Sequence, residues 1–338
     1  MEITTRAKSL INKKLSPVLM AFTLIFTGLG VSTAVVANDA PYPNKPIKWI
    51  VAFPAGGAAD FLGRQMAAQM GRQMDQSIIV ENRPGAAGII GTEYAAKSPA
   101  DGYTLLTGDN GAMVFHSAMY KKLPYSPSDF DPVGFMAKFP LILVVNPETP
   151  FKTGAEWLAA VKQNPGKYSY ASPGTGSPHH MGMELLKDRA KLAIVHIPYR
   201  GTAPAIQDVI SGQVPMMIVD TAGGMAQIKA GKVRPLAVLS HKRIASLPNL
   251  PTFEELGIKD FEVTGWQALF VPKGTPTPII KKLSAELITA MNNPELKARL
   301  QEFGVEPAPS DPETLAKFID SENKIWHKLI IDRKLSAE

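Results

Sequence analysis

After its first forty residues the chain alternates short apolar runs with amphipathic stretches. The runs 47–53, 77–82, 104–107, 141–145, 168–171, 193–197, 216–219, 236–239 and 263–271 predict strands. Most are apolar at consecutive positions, the pattern of strands covered on both faces of a parallel sheet. Between them lie helical spacings such as Leu62, Met66 and Met70, one residue per turn on one face. Thr153 with Glu156, and Thr252 with Glu255, predict capping boxes. Thr277-Pro278 and Asn293-Pro294 set a cap residue before a proline at the first helical position. Gly257 and Gly304 stand where a helix end favours a left-handed residue. A last helix from near Pro312 carries Leu315, Phe318, Ile319, Ile325, Trp326, Leu329 and Ile330 on one face, which reads as core packing. Repeated βαβ units predict an α/β, doubly wound architecture.

The N-terminus breaks this pattern. Arg6, Lys8, Lys13 and Lys14 precede an uncharged run from 15 to 37 that ends Ala34-Val35-Val36-Ala37. Small residues there suit a signal peptidase, so residues 1–37 read as a signal peptide cleaved after Ala37. The alternative is an uncleaved anchor, for which the run is long enough; Gly28, Gly30, Ser32 and three threonines dilute it. A periplasmic location is therefore expected. With no cysteine, the chain has no disulfide, thiolate site or lipid-anchor cysteine.

Composition narrows the class. At 45% hydrophobic and 20% charged residues, a disordered or collagen-like chain is excluded. The net charge of +6 falls to +3 once the leader takes four of the 36 basic and one of the 30 acidic residues with it. No basic run remains, so nucleic acid is not an expected partner. The roughly 300 residues left exceed a single core, and two lobes are expected. The long runs 140–146 and 261–271 could be the two crossings of a hinge. That places residues 140–263 in a second lobe, and 38–139 with 264–338 in a discontinuous first one.

Candidate chemistry sits at strand ends. Phe53-Pro54-Ala55-Gly56-Gly57-Ala58-Ala59-Asp60 runs strand, glycine turn, helix, which aims backbone N–H groups and a positive helix end at one point. It lacks the Gly-Lys-Ser/Thr of a P-loop and the G-x-G-x-x-G fingerprint, so a carboxylate fits better than a nucleotide; the alternative is an ordinary tight βα turn. A second such turn, Ser172 to His180, adds the hydroxyls of Thr175 and Ser177, and a third lies at Thr107-Gly108-Asp109-Asn110-Gly111. Ligands of open α/β sheets bind at the carboxyl ends of strands. His179 and His180 point about 100° apart on a helix and make a poor chelating pair, so no metal is expected. Ser177 as a nucleophile is weakened by Thr175 in the first glycine position of G-x-S-x-G. Arg200 could supply a fixed positive charge or be a solvated surface side chain.

Ordered motifs run through almost the whole chain: Tyr42-Pro43 with Lys45-Pro46-Ile47, Phe53-Pro54-Ala55-Gly56-Gly57 with Asp60, and Val80-Glu81-Asn82-Arg83-Pro84-Gly85-Ala86. They continue with Asp101-Gly102-Tyr103-Thr104-Leu105-Leu106, Lys122-Leu123-Pro124-Tyr125, Gly174-Thr175-Gly176-Ser177 with His180, and His196-Ile197-Pro198-Tyr199-Arg200-Gly201. Ile228-Lys229-Ala230-Gly231-Lys232 and Leu247-Pro248-Asn249-Leu250-Pro251-Thr252 complete the set. With these motifs the chain resembles the periplasmic receptors of tripartite tricarboxylate transporters, the TctC or Bug family. The resemblance implies a two-lobed periplasmic binding protein of type II, a Venus flytrap of two doubly wound sheets joined by a two-strand hinge. It implies a receptor and not an enzyme: no catalytic residue, metal or cofactor, and a small organic carboxylate, di- or aromatic acids included, as ligand. Carried over, the ligand-binding residues are Phe53, Ala55, Gly56, Gly57, Ala58 and Asp60 at the first turn, and Thr175, Gly176 and Ser177 at the second. Asp220 matches an acidic position of the family near the cleft. Asn110, Arg200 and the Pro178-His179 pair depart from the usual residues. His179 and Arg200 are candidates to bind a second carboxylate or stack on an aromatic ring. The implied partners are transporter membrane subunits, with the receptor a monomer. The alternatives are a ligand-presenting co-receptor for a sensor kinase and a secreted Ser/His hydrolase.

Overall fold

The computed structural model describes residues 41–336; the expected signal peptide of residues 1–37 lies outside them. The first third of the described chain runs β1 (Ile47–Val51), α1 (Ala58–Met74), β2 (Ile78–Asn82), α2 (Ile89–Ala96), β3 (Thr104–Asp109) and α3 (His116–Met119). The middle runs β4 (Phe130–Val145), α4 (Gly154–Gln163), β5 (Ser169–Ser172), α5 (Pro178–Ala190), β6 (Val195–Pro198), α6 (Thr202–Ile210), β7 (Met216–Asp220), α7 (Thr221–Lys229) and β8 (Arg234–Val238). It closes with β9 (Thr264–Pro272), α8 (Thr277–Met291), α9 (Pro294–Glu302), β10 (Glu306–Pro307) and α10 (Pro312–Asp332).

The strands form two lobes that share one strand. In the first, β2, β1 and β3 lie parallel and β9 joins β3 antiparallel. In the second, β7, β5 and β6 lie parallel, with β7 and β8 antiparallel to β4. Strand β4 belongs to both. Its first part, from Phe130 to Pro140, pairs with β9; from Leu141 onward it pairs with β7. The change of partner falls at Pro140, which has no N–H to give to a ladder. Beside it β9 begins at Thr264, paired with Pro140, while the preceding Val263 donates its N–H to Leu239 O in the second lobe. Two neighbouring strands therefore cross between the lobes.

The α/β architecture is as expected, but the sheets are mixed and not wholly parallel. Strand β4 starts at Phe130, ten residues ahead of the strand-like run 140–146, and this added part contains Pro132 and Gly134. The register slips between Pro132 and Gly134, and a slip of this kind is how a ladder accommodates proline. Most local signals act as read. Thr153 and Asn293 accept the N–H groups of Glu156 and Leu296, and Gly257 and Gly304 take φ of 90° and 68°. The Thr153 box is only half made, because Glu156 Oε2 accepts the N–H of Lys152 and not of Thr153. Leu62, Met66 and Met70 are all buried beneath α1. Three readings are corrected. Thr277 lies inside α8 after Pro276 and caps nothing. The Thr252–Glu255 box forms, at 2.8 and 3.1 Å, yet closes a turn because left-handed Gly257 ends the segment at once. Ile325 is 62% exposed and so lies off the packed face of α10, unlike Leu315, Trp326 and Ile330.

Candidate functional site

The carboxyl ends of β1, β3, β5, β6 and β7 open on one cavity between the lobes, about 680 Å³ including its mouth. Phe53, Pro54, Ala55, Gly57, Ala58 and Ala59 line it from the β1–α1 turn. Pro173, Ser177, Pro178 and His179 face it from the β5–α5 turn, and Gly201 to Pro204 from the start of α6. Asp109 and Asp220 close the ends of β3 and β7; Phe139, Leu141, Gly265, Trp266 and Gln267 come from the paired crossings.

Four helices begin at this cavity, and the residue before each, Gly57, Ser177, Gly201 or Asp220, is part of its wall. Neither Gly57 nor Gly201 supplies a side-chain cap, so the first N–H groups of α1 and α6 have no intrahelical partner. Ser177 Oγ accepts the N–H of His180 at 3.3 Å, which leaves its proton for another acceptor. Four positive helix ends therefore face one small space. No Lys or Arg is among the lining residues.

The acidic side chains are tied down. Asp220 Oδ1 accepts the N–H of Gly223 at 2.6 Å and Oδ2 faces His179 Nε2 at 3.0 Å. Asp109 accepts the N–H of Ala112 at 2.9 Å. Burial pushes the Asp109 carboxyl up to about 6, although that hydrogen bond and His179 act the other way. Two polar atoms, His179 Nδ1 and Gln267 Oε1, are buried in the wall without a hydrogen-bond partner. Such atoms are rare in proteins, and each calls for a partner, whether water or ligand.

The lobes meet beside the cavity. A Cβ on Gly201 would stand 3.1 Å from Pro54 Cγ, and one on Gly174 would stand 3.2 Å from Ala87 Cβ. Only glycine suits both demands there, because φ is 122° at Gly201 and 145° at Gly174.

The family model of the tripartite tricarboxylate transporter family receptor matches residues 62–335. This chain belongs to that family. A Pseudomonas sp. (strain P51) protein described as "UPF0065 protein in tcbD-tcbE intergenic region" is 40% identical over 308 residues, 90% of this chain and 91% of its own. Among solved structures, R. palustris Rpa4515 with adipate has TM-score 0.83 and 32% identity, covering 86% of this chain and 97% of its own. MatC (Rpa3494) from Rhodopseudomonas palustris with bound malate has TM-score 0.80 and 29% identity, covering 86% and 100%.

In this receptor Phe53, Ala55, Gly57, Ala58, Ser177, His179 and Asp220 line the cavity. Gly56, Asp60, Asn110, Thr175, Gly176 and Arg200 are not among its lining residues. Asp60 is turned back into its own turn: it accepts Gly56 N–H at 3.0 Å, Asn82 Nδ2 at 2.9 Å and Arg64 Nε at 2.9 Å. Burial opposes its charge, but those hydrogen bonds prevail and hold its carboxyl below the usual range. Asn110 ties the β3 end to β9, accepting Trp266 N–H at 2.9 Å and donating to Thr264 O at 3.2 Å. Gly176 donates its N–H to His180 Nδ1. Thr175 and Arg200 line a neighbouring cavity with the Pro84–Gly88 loop, beyond a wall of Phe53, Pro54, Pro173 and Gly201. His179 and Arg200 thus line different cavities, and His179 pairs with Asp220. Asp109, Thr202, Trp266 and Gln267 were missed. Gln267 had a signal, as the single polar side chain in the run 265–272. Asp109 stood in a turn already noted for its position after a strand.

Proposed function

We propose that this chain is an exported receptor, its leader removed after Ala37, that binds a small organic carboxylate in the periplasm for a tripartite tricarboxylate-type transporter. The lobes, residues 38–139 with 264–338 and residues 140–263, turn about the paired crossings of β4 and β9 and close on the ligand. The carboxylate lies against the first N–H groups of α1 and α6, with the Ser177 hydroxyl as a further donor. The observation that carries this reading is the convergence of four helix N-termini on one cavity with no cationic side chain. Backbone donors and helix ends hold anions without a lysine or arginine. Adipate in Rpa4515 and malate in MatC support the ligand class. The receptor acts as a monomer that presents its closed form to the membrane subunits. A hydrolase reading has no base to activate Ser177: His179 Nε2 is paired with Asp220 and His180 Nδ1 accepts the N–H of Gly176.

Melting the purified mature protein against a panel of mono- and dicarboxylates tests the first half. At least one acid raises the melting temperature in a concentration-dependent way; a panel with no shift contradicts the reading. Deleting the gene tests the second half through uptake of the labelled acid. Uptake falls. Unchanged uptake with lost acid-induced transcription would assign the protein to a sensor kinase instead.

A further inference from the structure

The cavity wall mixes donors and acceptors, and their balance bears on which carboxylates fit. The donors are the uncapped N–H groups at the starts of α1 and α6. The charged side chains supply only acceptors. The charged side chains lining the cavity are Asp109 and Asp220, 7% and 4% exposed, with His179 between donor and acceptor roles. Asp220 can only accept, so His179 carries a proton on Nε2, and in the neutral ring Nδ1 is a lone pair. That Nδ1 and Gln267 Oε1 are the two buried side-chain atoms without partners among the residues lining the cavity. Even a protonated His179 would leave this wall with one negative charge in excess. A second carboxylate would meet like charge in a poorly solvated space, where one of the groups must take up a proton.

We propose that the natural ligand carries one carboxylate and, at its far end, an ammonium or hydroxyl donor in place of a second carboxylate, received by Asp109, His179 Nδ1 and Gln267. The inference rests on the carboxylate reading of the same cavity. It runs against what adipate and malate in the solved relatives would suggest, so the test discriminates.

Calorimetric titration of the mature protein at pH 7.5 uses matched sets of four to six carbons: ω-amino acid, ω-hydroxy acid and dicarboxylate, for example 6-aminohexanoate, 6-hydroxyhexanoate and adipate. In the best-fitting set the amino or hydroxy acid binds at least tenfold tighter than the dicarboxylate. Asp109→Asn, which keeps an acceptor for Ala112, reduces that ratio at least tenfold; circular dichroism verifies that the variant is folded. If Asp109→Asn does not fold, the wild-type ratio still decides. A dicarboxylate that binds as tightly as its partners, or tighter, overturns this inference and leaves the carboxylate reading standing. Binding by none of the acids overturns both.

Discussion

Gly57 shows how much one side chain decides. Its φ of −93° suits any residue, and a Cβ built on it meets nothing within 4 Å, so a larger side chain there would project into open space beside the cavity that Gly57 lines. Gly57→Val should leave the melting temperature of the ligand-free protein within a degree or two and weaken carboxylate binding at least a hundredfold. Wild-type affinity in the calorimeter would move the anchor away from α1. Ser177 and Thr175 separate in the same way. Both hydroxyls looked like ligand donors, because the turn composition is all the sequence displays. In the fold Ser177 faces the cavity and also caps α5, whereas Thr175 faces the neighbouring cavity. Ser177→Ala should therefore cost about 1 kcal/mol of stability through the lost cap. It should also weaken binding roughly tenfold, the value of a hydrogen bond to a charged acceptor. Thr175→Val should change affinity less than twofold. Equal losses from the two variants in chemical denaturation and calorimetry would contradict this division. Arg200 is a further case: its residue type suggested an anion partner, but a side chain's direction is set by the lobe it packs on and not by local sequence.

Secondary-structure elements were more legible than side chains. Strands buried on both faces announce themselves as apolar runs, and β1, β3, β5 and β7 were read within a few residues. The unread part of β4, residues 130–139, is instructive, because Pro132 and Gly134 interrupt an apolar pattern and are accommodated where the register slips. The stacked rings joining α5 to β6 give this scale its test. His180 stacks on His196 at 4.2 Å, and His196 on Tyr170 at 4.9 Å. Burial depresses His116 and His180 to about 4 and His196 to about 3, with charge from Lys187 adding to the last two. Their unfolded value is near 6.5. The unfolded chain therefore takes up protons first, so the stability is complete above about pH 6.5 and is lost as pH falls towards 4. Asp109, between about 6 and its ordinary value, works the other way, as do Glu306 and Glu322, which burial also raises. Each tenfold change in proton affinity is worth about 1.4 kcal/mol, so the three histidines alone cost several kcal/mol by pH 4. Melting temperature followed by circular dichroism should be level from pH 8 to 7 and fall steadily below 6.5. A flat profile down to pH 5 would show that these rings titrate freely.

At the scale of the whole molecule, two lobes share β4 and meet at a cavity whose wall is built from strand ends of both. The two-lobed plan was legible because residues 140–146 and 261–271 stood out as long strand-like runs. The sharing of one strand was not, since nothing in a single sequence says where a strand changes partner. The central claim concerns the cavity: four helix ends without a cation select a carboxylate. Calorimetry of the mature protein with a monocarboxylate and its own primary amide tests it most directly, because the pair differ little in shape and by one full charge. Hexanoate with hexanamide and butyrate with butyramide are suitable pairs. The carboxylate should bind at least tenfold tighter, in line with about 1.5–3 kcal/mol for a hydrogen bond to a charged group. Equal affinity for acid and amide, or tighter binding of the amide, would contradict the account.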